Sequence, residues 1–170
     1  FLYIMPLIIP DLASPTRLLS GLNQMIEILH SNGVTAFNEP GALIDDNILL
    51  AYKLTLQRLN TPLYSFFIPE AKTSYVEFGV EGVLPAVEEI SKALPQAGKA
   101  RFFHKQVKLL MDGAIISQLM QMKEGYLDGH HGEWIQAPEE IDTLTKIFWD
   151  AGYQIHIHVN GDLGLEELLT

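Results

Sequence analysis

The sequence contains no cysteine among its 170 residues, which excludes a disulfide framework, a thiolate zinc site and a cysteine nucleophile. Basic residues are also scarce, because 11 lysines and arginines stand against 21 aspartates and glutamates, for a formal net charge of −10. Nucleic acids and anionic membranes are bound by clustered lysines and arginines, so we expect neither as a partner. No glycine-rich phosphate or dinucleotide motif follows a predicted strand, and no Gly-x-Ser-x-Gly occurs. These absences argue against nucleotide binding and against a serine hydrolase.

Long apolar runs are missing as well. Residues 1–10 are apolar, but prolines interrupt them and they are too short to cross a bilayer. They carry neither a basic region nor a small-residue cleavage site. Because the chain starts on Phe1 and stops within a predicted helix, we expect a fragment of a longer protein. We expect that protein to be cytoplasmic. A hydrophobic content of 48% and a mean hydropathy of +0.14 are sufficient for a packed core.

Helix and strand patterns alternate along the chain. Ser14-Pro15 predicts a helix start, Asn32-Gly33 predicts its end, and a cluster of four glycines lies in one long loop. The predicted elements are helix 15–31, strand 34–38 with a loop at 39–41, helix 46–59, strand 62–68, helix 84–94, strand 105–111, the loop 112–137, a helix from 138 that Gly152 closes, strand 153–159 and a helix that Asp162 begins.

This alternation predicts an α/β fold in which parallel strands are joined by right-handed crossovers. About four β/α units make half of a (β/α)8 barrel or most of a small doubly wound sheet, and the pattern alone does not choose between them. A half-barrel exposes two strand edges that can pair with another chain. We therefore expect self-association, which a concentration-independent monomer in sedimentation would contradict.

Two short strands end in polar residues, at the edge of an α/β sheet where active sites collect. Lys108 lies within the run 105–111 and Asp112-Gly113 follows it. A buried lysine has a lowered pKa and can act as a base, form a Schiff base or react with carbon dioxide to give a carbamate. The alternatives are a lysine at the solvent-facing start of an edge strand and an ordinary Asp-Gly turn.

His156 and His158 are two residues apart on a predicted strand, so both side chains point to the same face. Imidazole is a common ligand of zinc and other transition metals, although His-x-His is a weak signal by itself. Asp162 follows in the polar turn after this strand, and Glu39 follows the first predicted strand. These two carboxylates are candidates for substrate contacts or for contacts that support the site.

Three blocks of the chain resemble the metal-dependent amidohydrolase superfamily, in the branch that includes N-substituted formamide deformylases. They are residues 31–37 (SNGVTAF), 107–114 (VKLLMDGA) and 152–162 (GYQIHIHVNGD), and their order and separation are similar to those of that branch. The resemblance covers nearly the whole of residues 1–170. It implies a partial (β/α)8 (TIM) barrel, of which this chain is the central fragment.

By motif position, the resemblance implies that Lys108 is a carbamylated lysine that bridges metal ions and that His158 is a metal ligand. Lys108 and Asp112 are then the catalytic candidates. His156 falls at a variable position and is a candidate, like Asp162 and Glu39, for a substrate contact or for a contact that supports the site. The family uses a divalent metal, which we expect to be zinc, and a metal-bound hydroxide hydrolyses an amide or another C–N bond of a small substrate.

The chain departs from the family pattern after Asp112-Gly113, where residues 117–120 read SQLM instead of a Ser-Arg-Thr-Ala-like run. The first-strand His-x-His is absent, and the family's later histidine and aspartate fall beyond Thr170. We therefore expect the isolated chain to be inactive. Two alternatives stay open: a barrel-derived domain without metal, and an α/β enzyme that forms a Schiff base on Lys108.

Overall fold

The computed structural model describes residues 14–42 and 44–170, so the apolar segment 1–10 lies outside the described residues. Helices and strands alternate along the chain, as predicted. The elements are α1 (Pro15–Ser31), β1 (Ala36–Ala42), α2 (Asp46–Thr55), β2 (Tyr64–Pro69), α3 (Ala71–Ser91), β3 (Ala100–Phe102), β4 (Gln106–Leu110), a 3₁₀ turn (Ile115–Ser117), α4 (Pro138–Asp150), β5 (Gln154–His158) and α5 (Asp162–Leu169).

The chain divides into two compact units. The first contains the described residues up to Pro69 together with Glu89–His104, and the second contains Glu70–Glu88 and Lys105–Thr170. Every strand pair in both units is parallel, which confirms the predicted α/β class. In the described part of the chain, no helix is both long and apolar enough to span a bilayer.

The first unit is built on a three-stranded sheet in the order β1-β2-β3. Leu56, Leu63, Phe67, Leu94 and Phe102 are almost fully buried around this sheet. Apolar side chains of α1 pack against this core along one side of the helix, because they recur at helical spacing: Met25, Ile26 and Leu29.

The second unit is built on the parallel pair β4-β5. Val107 and Leu109 alternate with less buried residues along β4 and pack against Leu144 and Phe148 of α4. One face of the strand pair therefore forms the core. Because side chains alternate along a strand, Gln106, Lys108 and Leu110 project from the other face.

The predicted loop at 39–41 is wrong, because these residues continue β1 to Ala42. Pro40 lies opposite Ile68 on a strand that pairs only with β2 among the described residues, and an edge strand tolerates the missing N–H. The register shifts between Pro40 and Ala42, where Gly41 has a φ of 118°. A glycine at this bulge supplies the backbone conformation that the shift requires.

Helix α3 begins 13 residues before the predicted start at 84. The Glu70 carboxylate accepts hydrogen bonds from the backbone N–H groups of Lys72 and Thr73 and thereby caps the helix. Gly79, with a φ of 67°, interrupts the helix, and this break obscures the apolar periodicity before Pro85. The sequence pattern therefore revealed only the second part of the helix.

The predicted strand 105–111 is preceded by a separate short strand, β3, that the prediction missed. Lys105 has a φ of 53° and separates β3 from β4. Ala100 and Phe102 are buried, whereas Arg101 lies 5.0 Å from the centre of the Phe66 ring. This strand is only three residues long, which is too short for alternation to be recognised.

Candidate active site

Lys108 is placed on the polar face of β4, directly opposite His156 of β5 in the parallel register. Its amine has no hydrogen-bond or ion-pair partner among the described residues, and burial lowers the pKa of this lysine. On the other edge of β4, Lys108 forms a backbone bridge with Glu70. The Glu70 carboxylate caps α3, so it is not directed to the lysine. A half-buried amine without a counter-ion is the main chemical feature of this face.

His156 lies within the same polar face, and its Nε2 is 2.9 Å from Oε1 of Gln106. Burial, and next the positive charge of Lys108, lower the pKa of His156. Both effects disfavour the imidazolium ion, so the neutral ring is favoured. With this amide orientation, the neutral ring donates its Nε2 proton to Gln106.

His158 lies opposite Leu110, two residues after His156 and on the same face. Its Nε2 is 2.9 Å from Nδ2 of Asn160. That amide nitrogen also donates to the carbonyl oxygen of Gly113, over 3.1 Å. The structure thus brings Lys108, His156 and His158 together on one face. The sequence placed Asn160 in a polar turn but did not reveal its contact with His158.

Asp112 follows β4 and is completely buried. One carboxylate oxygen accepts the N–H of Asn160 at 2.8 Å, and the other accepts the N–H groups of Gly161 at 2.7 Å and Gln121 at 3.0 Å. These three donors come from the long loop and from the turn after β5. Asp112 therefore joins the end of β4, the loop and the β5-to-α5 turn. Its catalytic role stays a prediction.

Asp162 is exposed at the start of α5 and binds the backbone of the long loop 112–137. Its Oδ1 accepts the N–H groups of Lys123 and Leu163, each at 3.0 Å, and the hydrogen bond from Lys123 is the main cause of the lowered pKa of Asp162. The Lys123 amine forms an ion pair with Glu166 at 2.8 Å. The predicted long loop is confirmed, and contacts to α5 hold its middle in place.

Glu39 lies exposed on β1, in the first unit. It lines a cavity of about 60 Å³ with largely apolar walls that include Phe37, Tyr52 and Phe67. Burial, then the negative charges of Glu39 and Asp45, raise the pKa of Tyr52. This cavity holds little more than a water molecule or two. The proposed role of Glu39 in substrate contacts stays a prediction.

Gly161 allows the close approach of the long loop to the β5-to-α5 turn, because a Cβ at this position would collide with the carbonyl oxygen of Gln121. We expect Gly161→Ala to lower the free energy of unfolding by about 1–3 kcal/mol, a typical cost of overpacking. Gly21→Ala is the matched control, since a Cβ there meets nothing within 4 Å and the residue lies inside α1. The free energy of unfolding of the control should rise by roughly 0.5–1 kcal/mol. Urea unfolding measures both, and equal effects would contradict the close approach.

His130 joins two turns of the loop, because its Nδ1 is 2.5 Å from Oδ1 of Asp128 and its Nε2 is 2.7 Å from the carbonyl oxygen of Gln118. Its ring stacks on Tyr126, with 4.3 Å between ring centres. Both partners accept hydrogen bonds, so both contacts require the imidazolium ion. The Gln118 carbonyl and then the Asp128 carboxylate raise the pKa of His130, and Glu133 adds a smaller effect.

This geometry predicts that the loop loosens as the pH rises through the raised pKa of His130. A raised folded-state pKa means that the stabilisation is complete below the ordinary value of about 6.5 and disappears as the pH rises through the raised value. Hydrogen exchange of residues 118–130, corrected for the intrinsic pH dependence, should show stronger protection on the acidic side. His130→Gln should remove that difference, whereas His104→Gln, at an exposed position, should keep it. Equal protection on both sides of the transition would contradict the prediction.

The donor set of the polar face fits one side of a metal site. Lys108 and His158 are the predicted ligands, and a four-coordinate ion needs more donors than these two. Nowhere in residues 14–42 and 44–170 do three or more histidines, aspartates or glutamates cluster in a way that could hold a metal. Lys108 and His158 alone therefore do not complete a metal site, and their ligand roles stay predictions.

The comparisons with known proteins identify fold relatives only. The chain matches no protein-family model and no curated protein. It is similar to the crystal structure of an uncharacterized metal-dependent hydrolase from Pyrococcus horikoshii, with a TM-score of 0.64 and 20% identity over 92% of this chain and 30% of that one. It is also similar to the crystal structure of an uncharacterized metal-dependent hydrolase from Pyrococcus furiosus. The TM-score is 0.60, and the identity is 20% over 84% of this chain and 28% of that one. This chain therefore shares its fold with just under a third of two larger proteins.

Proposed function

We propose that this chain is the central part of a partial (β/α)8 barrel belonging to a metal-dependent hydrolase, and that the whole protein cleaves an amide or a related C–N bond. The observation that carries the proposal is the unpartnered, half-buried amine of Lys108 on the same sheet face as His156 and His158. The polar face extends to the carboxyl ends of β4 and β5, and active sites of parallel α/β folds lie at such ends. The two fold relatives are themselves called metal-dependent hydrolases.

Lys108 is suited to become a carbamate. Its neutral amine attacks carbon dioxide, an N–C bond forms as one C=O π bond of carbon dioxide opens, one proton leaves to solvent, and the side chain gains a single negative charge shared by two oxygens. The lowered pKa favours the neutral amine that this step requires. The resulting carbamate is a hard oxygen donor of the kind that binds divalent metals.

The remaining residues of the face hold the site in place. Asp112 fixes the turn after β5 and the long loop, and Gln106 orients the His156 ring. A divalent ion such as zinc would supply an acidified water and polarise the scissile carbonyl group. Its other ligands come, in this proposal, from parts of the protein outside the described residues, and the isolated chain is inactive.

The test compares the whole protein with the 170-residue chain on N-formyl and N-acyl amines, after zinc loading and after chelation. We expect zinc-dependent hydrolysis by the whole protein only. Hydrolysis by the isolated chain would contradict the incomplete site, and hydrolysis that resists chelation would contradict the metal dependence.

A Schiff-base enzyme is the competing proposal, since the same neutral amine of Lys108 would also attack a carbonyl carbon. Borohydride reduction in the presence of small aldehydes and ketones separates the two. A stable adduct on Lys108 that requires substrate would favour the Schiff base, whereas no adduct together with zinc-dependent hydrolysis favours the hydrolase.

A further inference from the structure

The side chain of Asn160 contacts the His158 ring in a way that depends on which ring nitrogen carries the proton. Asn160 Nδ2 lies 2.9 Å from His158 Nε2. An amide nitrogen only donates, so Nε2 of the neutral ring must accept, and the ring proton is then on Nδ1. If the amide were turned around, its oxygen would face Nε2 and the proton would belong on Nε2 instead.

The carbonyl oxygen of Gly113 decides the amide orientation. It lies 3.1 Å from Nδ2 of Asn160 and can only accept a hydrogen bond. Turning the amide would place two carbonyl oxygens against each other. The two N–H bonds of one amide group therefore serve Gly113 and His158 together.

Asp112 fixes the backbone at Asn160 and directly precedes Gly113, the other residue that positions the amide. Its carboxylate accepts the backbone N–H of Asn160 at 2.8 Å and that of Gly161 at 2.7 Å, and Gly113 is its neighbour in sequence. Because Asp112 is fully buried, these bonds are protected from water. The Asn160 amide is thus presented to His158 by a rigid turn, although the Asn160 side chain itself is exposed.

We infer that Asn160 is a positioning residue that fixes the orientation of the His158 ring and keeps its neutral form protonated on Nδ1. The inference rests on contacts within this chain. The proposed function enters only in its consequence, because Nε2 is then the nitrogen without a proton, and a metal ion or a substrate proton that binds it has to displace the Asn160 amide.

His156, two residues earlier on the same strand, provides an internal control. Its Nε2 faces Oε1 of Gln106 at 2.9 Å, so its neutral ring carries the proton on Nε2. The two histidines are therefore expected to differ in tautomer. Asn160→Asp puts only acceptors next to His158 and should move the His158 proton to Nε2, while the tautomer of His156 stays unchanged.

The experiment is long-range ¹H–¹⁵N NMR of the metal-free chain, recorded under conditions in which the ¹⁵N shifts of both rings show the neutral form. The unaltered chain should give the Nδ1–H pattern for His158 and the Nε2–H pattern for His156, and Asn160→Asp should give the Nε2–H pattern for both. An Nε2–H pattern for His158 in the unaltered chain overturns the inference, even if the variant fails to fold. So does an unchanged His158 tautomer in a folded Asn160→Asp chain. Neither outcome depends on hydrolysis, so failure of the proposed function is detected separately.

Discussion

Asp112→Ala is expected to lower the free energy of unfolding by about 3–5 kcal/mol. The carboxylate is fully buried and accepts three backbone N–H groups, from Asn160, Gly161 and Gln121. Removing it leaves these donors without a partner in a site that water does not reach. A hydrogen bond to a charged group contributes about 1.5–3 kcal/mol, so the loss of three is severe.

Asp112→Asn tests whether charge and acceptor number matter, rather than volume. Asparagine has the same shape, but one of its two ends is an NH₂ group that would meet an N–H donor of the turn or the loop. We expect this variant also to be destabilised by at least about 2 kcal/mol.

Asp150→Asn is the matched control for both variants, since Asp150 is exposed and its ion pair with Lys146 is at the surface. Its effect should stay within about 0.5 kcal/mol. Urea unfolding monitored by circular dichroism measures all three. If Asp112→Asn unfolds like the unaltered chain, the three hydrogen bonds do not support the turn.

If Lys108 carries the proposed carbamate, Lys108→Gln in the whole protein is expected to reduce kcat/KM for C–N hydrolysis by about 10³-fold or more, because that metal donor is lost. The free energy of unfolding should stay the same or rise slightly. The half-buried Lys108 amine has no partner among the described residues, so its replacement by glutamine breaks no hydrogen bond or ion pair there. Loss of activity without loss of stability is the signature of a site residue.

Lys146→Gln is the control here, because Lys146 is exposed and lies on α4, away from the polar face. Its kcat/KM should equal that of the unaltered protein. Lys108→Ala adds a second criterion. A small carboxylic acid such as acetate can occupy the space that the lysine side chain leaves and can restore part of the activity. Rescue by acetate supports a carbamate, rescue by a small amine supports a Schiff base, and full activity of Lys108→Gln would contradict both.

The general plan of the fold was predictable because it depends on local signals. Ser14-Pro15 predicted the start of α1, and Asn32-Gly33 predicted its end at Ser31. The alternation of apolar patterns predicted parallel strands. Strand β3 was missed because its pairing partner is distant in sequence and three residues are too few for a pattern. The start of α3 was missed because Gly79 interrupts the periodicity.

The site was predictable to a smaller extent. Lys108 and His158 stood out because polar residues within apolar strands are rare, and the register places them on one face. The partners of Asp112 are backbone N–H groups 9, 48 and 49 residues away, and no side-chain pattern reveals backbone donors. The contact of Asn160 with His158 depends in the same way on the carbonyl group of Gly113, which every residue type would supply.

The central claim is that Lys108 and His158 form part of a metal site on the polar face of β4 and β5. Anomalous diffraction at the zinc edge, from crystals of the whole protein grown with zinc and bicarbonate, tests it most directly. We expect a peak on this face in contact with the modified Lys108 side chain and the His158 ring. A zinc peak bound elsewhere with both residues free of it, or an unmodified Lys108 beside an empty face, would contradict it.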